Sequence, residues 1–308
     1  YIMATGLELV NKGVCGGSLA GYNMAKGCAI PLKDIKEIWR TPQDFEFDLT
    51  QQFDSAYWKQ LQLDGKLSII KNITDFPEAG TDPLIFTTAD NTETSAGEAK
   101  YKYTPIWLQD LWLNVQLGKI EGQYNNRFIF VDSAGNILMT QGSDENKSRG
   151  FLTSRTKRAK VILQSPGVGA QQSLEFQLAN SYEIEDNVVL MAADALDDDP
   201  RLQEPIIQAY VSYNVIPADT DTTIQVKVVL DKGRKDPVIG LTTSGDFAVT
   251  IDGVVEAGSV AVESPDGIYT ITTTALVAGQ KVDVSINGVK EVVGDGLYVS
   301  NKTSKTVS

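Results

Sequence analysis

From Leu32 onward the apolar residues of this chain fall mostly at every second position, and in two stretches the spacing widens to three and four. Alternation at period two marks a half-buried strand, and spacing near 3.6 marks one face of a helix. The most regular stretch is RFIFVDSAGNILMTQ, residues 127–141. It predicts two strands around the turn Ser133-Ala134-Gly135-Asn136, with Gly135 free to adopt a positive φ and Phe128, Phe130, Ile137 and Met139 directed to a core. LKDIKEIWR (32–40) and DFEFDLT (44–50) alternate on either side of Pro42 and predict strands interrupted by a turn. LSIIKNITDF (67–76), RGFLTSRTKRAKVILQS (149–165), QQSLEFQLANS (171–181), NVVLMA (187–192) and IIQAYVSYNVIP (206–217) read as further strands, the last running to a domain boundary at Pro217.

Two segments carry the wider spacing. TQQFDSAYWKQLQLDGK (50–66) places Phe53, Tyr57 and Leu61 four apart, with Thr50 available as N-cap and Gly65 as terminator. IWLQDLWLNVQLGK (106–119) gathers Ile106, Leu108, Leu111, Trp112, Val115 and Leu117 on one broad face between Pro105 and Gly118, and predicts the longer helix. Between these helices, residues 77–105 hold a small, polar Thr/Ser/Asp/Gly tract flanked by LIFTT and EAKYKYT. Such a tract cannot build its own core, so a long hairpin or extended loop is expected.

After PADTDT the texture changes. Residues 218–308 show no helical spacing, and seven short β-type segments (TIQVKVVL, PVIGL, FAVTIDG, SVAVES, GIYTITTT, KVDVSING, KEVVG) are punctuated by Asp252-Gly253, Asp266-Gly267 and Asn287-Gly288. That is the expectation for an immunoglobulin-like sandwich, without the Cys-Trp-Cys core of antibody domains. The organisation read from the sequence is a glycine-rich N-terminal arm at 4–30, a β domain with helix at 31–216, the sandwich at 218–300 and a tail at 301–308. The fold class expected is mainly β (α+β), a two-sheet sandwich or barrel with a flanking helix and a long hairpin, followed by an all-β sandwich.

Charge and chemistry narrow the function. The 308 residues carry 40 acidic against 27 basic side chains, net −13, so the chain as a whole repels nucleic acid and anionic lipid. No apolar run approaches the length of a membrane span, and the first residues lack the basic start and apolar core of a secretory leader. There is no histidine, which removes the commonest general base and the usual Ser-His and Cys-His pairs. Cys15 and Cys28, in GVCGGSLAGYNMAKGCAI, stand open between free thiols, a disulfide and an unusual metal site. Neither GVCGGSLAG nor SPGVGA is a phosphate-binding loop, Ser18 and Ser173 have no neighbouring base, and no nucleophile elbow occurs. A pair of carboxylates for glycoside hydrolysis would meet only in the fold. Asp194, Asp197, Asp198 and Asp199 could ligate calcium, but their spacing is not that of an EF-hand and a solvated turn is the plainer reading. Trp39, Trp58, Trp107 and Trp112 sit among apolar neighbours, as core residues do, and less like a sugar-stacking platform.

One cluster remains as a candidate site. Lys147, Arg149, Arg155, Lys157, Arg158 and Lys160 form a run with no acidic residue across 14 positions. A strand from Gly150 onward would place Arg155 and Lys157 on one face and Arg158 and Lys160 on the other. On so acidic a protein the expected use is a subunit interface, the run meeting an acidic patch on an identical neighbour, ahead of a solvated strand or nucleic-acid binding.

These pieces resemble phage virion structural proteins of the tail-tube (major tail protein) type: a β domain flanked by a helix (106–119), a long hairpin (77–105), an arm (4–30) and an appended Ig-like module. FIFVDSAGNILMTQ with Gly150-Phe151, and the early Cys28-Ala29-Ile30-Pro31, also resemble structural proteins of phages infecting Bacteroidota. The resemblance implies a non-enzymatic protomer without cofactors, made in the host cytoplasm and assembled into rings or tubes with itself and other virion proteins. It further implies an acidic lumen that lets DNA pass, and an Ig-like domain displayed outward; the basic run departs from an all-acidic surface and favours the interface. The rival expectations are an auxiliary or decoration protein of the head or collar, a bacterial surface adhesin or carbohydrate-binding module, and an enzyme with a carboxylate dyad.

Overall fold

A computed structural model of the chain describes residues 32–308, apart from 88–89, 91–92, 109–110, 123–125, 145, 164–168, 194–195, 197, 232–234, 244, 257–260 and 293–295. The expected N-terminal arm, with Cys15 and Cys28, lies outside the described residues. The protein is mainly β with few helices, its sheets include a curled half-barrel, and it divides into two compact units after Gln203.

The first unit contains strands β1 (Ile35–Thr41) and β2 (Phe47–Asp48), helix α1 (Ser55–Leu63), then β3 (Ser68–Ile70), β4 (Leu84–Thr87), β5 (Glu93–Ala96), β6 (Lys102–Tyr103) and β7 (Ile106–Leu108). Helix α2 (Leu111–Ile120) precedes β8 (Arg127–Asp132), β9 (Ile137–Gln141), β10 (Lys147–Arg149), β11 (Phe151–Arg158), β12 (Gln171–Leu178), the single turn α3 (Tyr182–Glu185) and β13 (Val188–Met191). All of these strands except β4 and β5 join one sheet with the central order β2-β10-β9-β8-β11-β12-β6.

Strand β8 is the hub of this sheet, and every one of its six residues is buried. Trp39, Ile129, Val131, Ile137 and Met139 pack on one face with Trp58 and Leu61 of α1. Ile38, Phe128, Phe130, Phe151 and Phe176 pack on the other face with Leu117 and Ile120 of α2. The sequence expectation of a single core for Phe128, Phe130, Ile137 and Met139 is therefore corrected. The turn sets Val131 opposite Ile137 and Phe130 opposite Leu138, so the two phenylalanines serve one core and Ile137 and Met139 the other. Asp132 holds that turn: its carboxylate accepts from the backbone N–H groups of Lys33, Ala134 and Asn136 and from the Asn136 side chain.

Both expected helices shift. The first begins at Ser55, capped by Asp54 rather than Thr50, because the Asp54 carboxylate accepts from the Tyr57 N–H at 2.8 Å. The second begins only at Leu111. Ile106–Leu108 is a strand paired with Gln171–Ser173, and its alternation buries Trp107 while Leu108 stays exposed. Its apolar residues satisfy period two as well as they satisfy a helix face, and the ladder to β12 decides the matter. Gly118 lies inside α2 and makes room for the Arg158 guanidinium, which a Cβ there would approach to 3.0 Å.

The second unit holds β14 (Ile206–Tyr213), β15 (Thr223–Leu230), β16 (Phe247–Ile251), β17 (Val254–Val255), β18 (Ala261–Glu263), β19 (Ile268–Thr272), β20 (Lys281–Ile286), β21 (Lys290–Val292), β22 (Gly296–Ser300) and β23 (Thr303–Thr306). A six-stranded sheet, β18-β19-β15-β14-β22-β21, and a four-stranded sheet, β17-β16-β20-β23, share one core built from alternate residues of both, including Val226, Val228, Val249, Tyr269, Ile271, Val282 and Val284. Two expected boundaries are corrected. Ile206–Tyr213 pairs antiparallel with β15 and parallel with β22, so the unit starts at Glu204 and not after Pro217. The expected tail at 301–308 supplies β23, paired with β20.

Candidate interaction surface

The basic run divides into an interior half and an exterior half. Lys147 and Arg149 belong to β10, between β2 and β9 of the large sheet, where Glu46 lies 4.0 Å from the Lys147 Nζ and 3.5 Å from an Arg149 guanidinium nitrogen. Lys147 also meets Asp144 at 3.4 Å, and Arg149 meets the buried Glu183 at 3.9 Å. Arg158 points to the inner face of β11, donates to the Asn114 carbonyl of α2 at 3.0 Å and pairs with Glu121 at 3.3 Å. These three cations are thus neutralised within the chain and hold elements together.

Arg155, Lys157 and Lys160 are exposed and form no ion pair among the described residues. A register shift between Thr153 and Arg155 turns the strand so that Thr153 and Thr156 stay inside while Arg155 and Lys157 share the outer face. Arg158 is on the opposite face, as the alternation predicts; Lys160 lies beyond the end of β11. Arg155 stands opposite Gln177, and Lys157 stands opposite Glu175, whose carboxylate is already held by Lys102 at 2.9 Å. The hairpin of β11 and β12 continues through the Ile162–Gln171 bridge, and Gln171 is also in register with Leu108 of β7. Leu108 and Ile162, both in register with Gln171, are half exposed, and Leu163 is 69% exposed. Nothing in the sequence marks these aliphatic residues as exposed, because their facing depends on the bulge and on a bridge across the hairpin.

The predicted long hairpin is present. Bridges at Glu78–Tyr103 and Thr81–Lys100 form its base, and β4 and β5 pair from Leu84 with Ala96 to Thr87 with Glu93. Among the described residues these two strands form a sheet of their own with no third strand, and Ile85 is 65% exposed. Residues 82–99 carry Asp82, Asp90, Glu93 and Glu98 and no basic side chain.

The remaining candidate groups are structural where they are described. Asp198 accepts from the Ser55 N–H at 2.6 Å; Asp199 caps the 3-10 turn Pro200–Leu202 and pairs with Arg201, which lowers its pKa. Asp194 and Asp197 lie outside the described residues. No group of three or more His, Cys, Asp or Glu among the described residues is placed to hold a metal ion. Trp39, Trp58 and Trp107 are buried, with Trp39 edge-on to Trp58 at 5.0 Å, so these three are core residues. No protein-family model and no curated protein matches the chain.

Proposed function

We propose that the protein is a non-enzymatic structural protomer that assembles with copies of itself, of the phage tail-tube type to which its sequence organisation is similar. The observation that carries self-assembly is the β4–β5 hairpin. A two-stranded sheet by itself is marginal in water, and this one, without a third strand among the described residues, exposes Ile85 and is acidic. Such an element gains stability from a further surface, and a neighbouring copy supplies one in a repeating assembly. The exposed cations Arg155, Lys157 and Lys160 support the same reading, since unpaired charges of one sign suit a contact with an acidic copy. Heterologous contacts of this kind close into rings or extend into tubes.

Negative-stain microscopy and sedimentation velocity of the purified chain test the proposal. Rings or tubes are expected, and Ile85→Asp reduces their formation while leaving the circular dichroism of the protomer unchanged. A strict monomer at high concentration overturns it.

A further inference from the structure

Strand β20 ends at Ile286 in the four-stranded sheet and β21 begins at Lys290 in the six-stranded sheet, so Asn287-Gly288-Val289 carries the chain from one sheet of the second unit to the other. Asn287 ties this crossing to the loop before β16. Its backbone N–H donates to the Asp246 carbonyl at 2.8 Å, and its side-chain amide donates to the Gly245 carbonyl at 3.0 Å. Lys290, at the far end of the crossing, adds an ion pair with Asp246 at 3.7 Å.

The residue that makes this tie is also open to chemical change. Asparagine is a labile residue, and its amide is lost when the backbone nitrogen of the next residue attacks the side-chain carbonyl carbon. Gly288 supplies that nitrogen in the single Asn-Gly pair of the sequence, and a glycine has no Cβ to crowd it. The Gly288 N–H has no hydrogen-bond partner among the described residues, so nothing holds the nucleophile back. Asn287 and Gly288 are both exposed, and water and hydroxide reach them. Asn214 is the contrast within the same unit: it is exposed too, but Val215 follows it with a β-branched side chain that obstructs its own nitrogen.

We propose that Asn287 is a self-modification site, converted in the folded chain to aspartate and isoaspartate, and that the conversion loosens the crossing between the two sheets. The Gly288 nitrogen gives its proton to hydroxide and bonds to the Asn287 side-chain carbonyl carbon. The carbon–nitrogen bond of the amide breaks, and ammonia leaves with a proton taken from water. Water then opens the cyclic imide at either of its carbonyls, giving aspartate or isoaspartate. Both products carry a carboxylate where the amide stood, so the Gly245 carbonyl loses its donor and meets a negative oxygen instead. Isoaspartate also lengthens the backbone of the crossing by one carbon. An aged chain therefore has a weaker second unit and one more negative charge than a new one.

Peptide mapping by mass spectrometry tests the chemistry on the full-length chain, kept folded at physiological temperature in mildly alkaline buffer. The peptide containing Asn287 is expected to gain one mass unit and to separate into two chromatographic forms. The peptide containing Asn214 is expected to stay unchanged, and Asn287→Gln abolishes the gain. Absence of conversion at Asn287 in the folded chain overturns the proposal, and a urea-unfolded sample that does convert then shows that the fold protects the residue. Equal conversion at Asn214 also overturns it, because the following glycine is then not the cause. Thermal unfolding tests the consequence: Asn287→Asp is expected to melt about 4 °C or more below the parent chain. An unchanged melting temperature overturns the loosening of the crossing.

Discussion

Arg127 and Glu183, 56 positions apart in the chain, form an ion pair at 3.2 Å with both side chains almost wholly removed from water. Glu183 also accepts the Leu152 N–H at 2.7 Å, and Arg127 donates to the carbonyls of Gly150 and Gln43. The pair ties the turn α3 to β8 and β11 at the centre of the large sheet. Burial pushes the Arg127 guanidinium below its ordinary pKa, and the Glu183 carboxylate opposes that shift. Removing one partner strands the other charge in the interior. Glu183→Ala is expected to cost about 3–5 kcal/mol in urea unfolding, and the double change Arg127→Met/Glu183→Leu is expected to cost less than Glu183→Ala alone. A double variant as unstable as the single one shows that the pair does not act through charge.

Asp132 makes the central turn sensitive to acid. Burial raises the pKa of its carboxyl, but the hydrogen bonds from Lys33, Asn136 and Ala134 outweigh that effect and hold it below the ordinary value. A depressed folded-state pKa contributes stability above the unfolded pKa of about 3.9, and that contribution is lost as the pH falls through the folded value. Asp132→Ala is expected to cost about 3 kcal/mol at neutral pH, because it leaves buried donors unpaired. The same variant should lose less stability than the parent between pH 5 and pH 3, which urea midpoints at the two pH values will check.

Gln172 is 1% exposed, and neither polar atom of its side-chain amide has a hydrogen-bond partner among the described residues. The hydroxyl of Thr156, on the neighbouring strand, and the side-chain carbonyl of Asn114, on α2, are likewise out of water and without a partner among the described residues. A buried polar group without a partner is costly, so an apolar replacement of similar volume gains stability. Gln172→Leu is expected to stabilise the protein by about 1–2 kcal/mol in thermal unfolding. A loss of stability shows that the amide is hydrated or paired in solution.

The base of the acidic hairpin depends on Gly80. A Cβ at that position would collide with the backbone carbonyl of Lys100, across the Thr81–Lys100 bridge. Gly80→Ala is expected to part the two strands at their base and to raise hydrogen exchange across 81–100. On the proposed function it also lowers assembly. Unchanged exchange in this segment refutes the close approach.

The elements that local pattern revealed are those whose period and turn chemistry agree. RFIFVDSAGNILMTQ alternates at period two around a glycine that does take a positive φ, and the structure places β8 and β9 there. The 77–105 hairpin was legible because a polar tract between two β-like flanks has little else to form. Misreadings arose where one spacing served two structures. Ile106 and Leu108 fit a helix face and a strand equally, and only the ladder to Gln171–Ser173 separates the two. The basic run was visible as six cations, but not its division, since Glu46, Glu121 and Glu183 reach Lys147, Arg158 and Arg149 only through the fold.

By itself the sequence determined the mainly β class, the acidic charge, the absence of histidine and the positions of most strands, because these follow from composition and from contacts between residues two to four apart. The tertiary structure alone decided which unit each strand serves and which faces are buried. Ile206–Ala209 pairs with Leu297–Ser300 across about ninety residues, so the boundary lies at Gln203 and not at Pro217. A bulge after Thr153 and the bridge from Ile162 to Gln171 likewise decided which cations and aliphatics face solvent. Strand pairing is a long-range choice, and shifting it by one residue exchanges the buried and exposed faces without changing a single local preference.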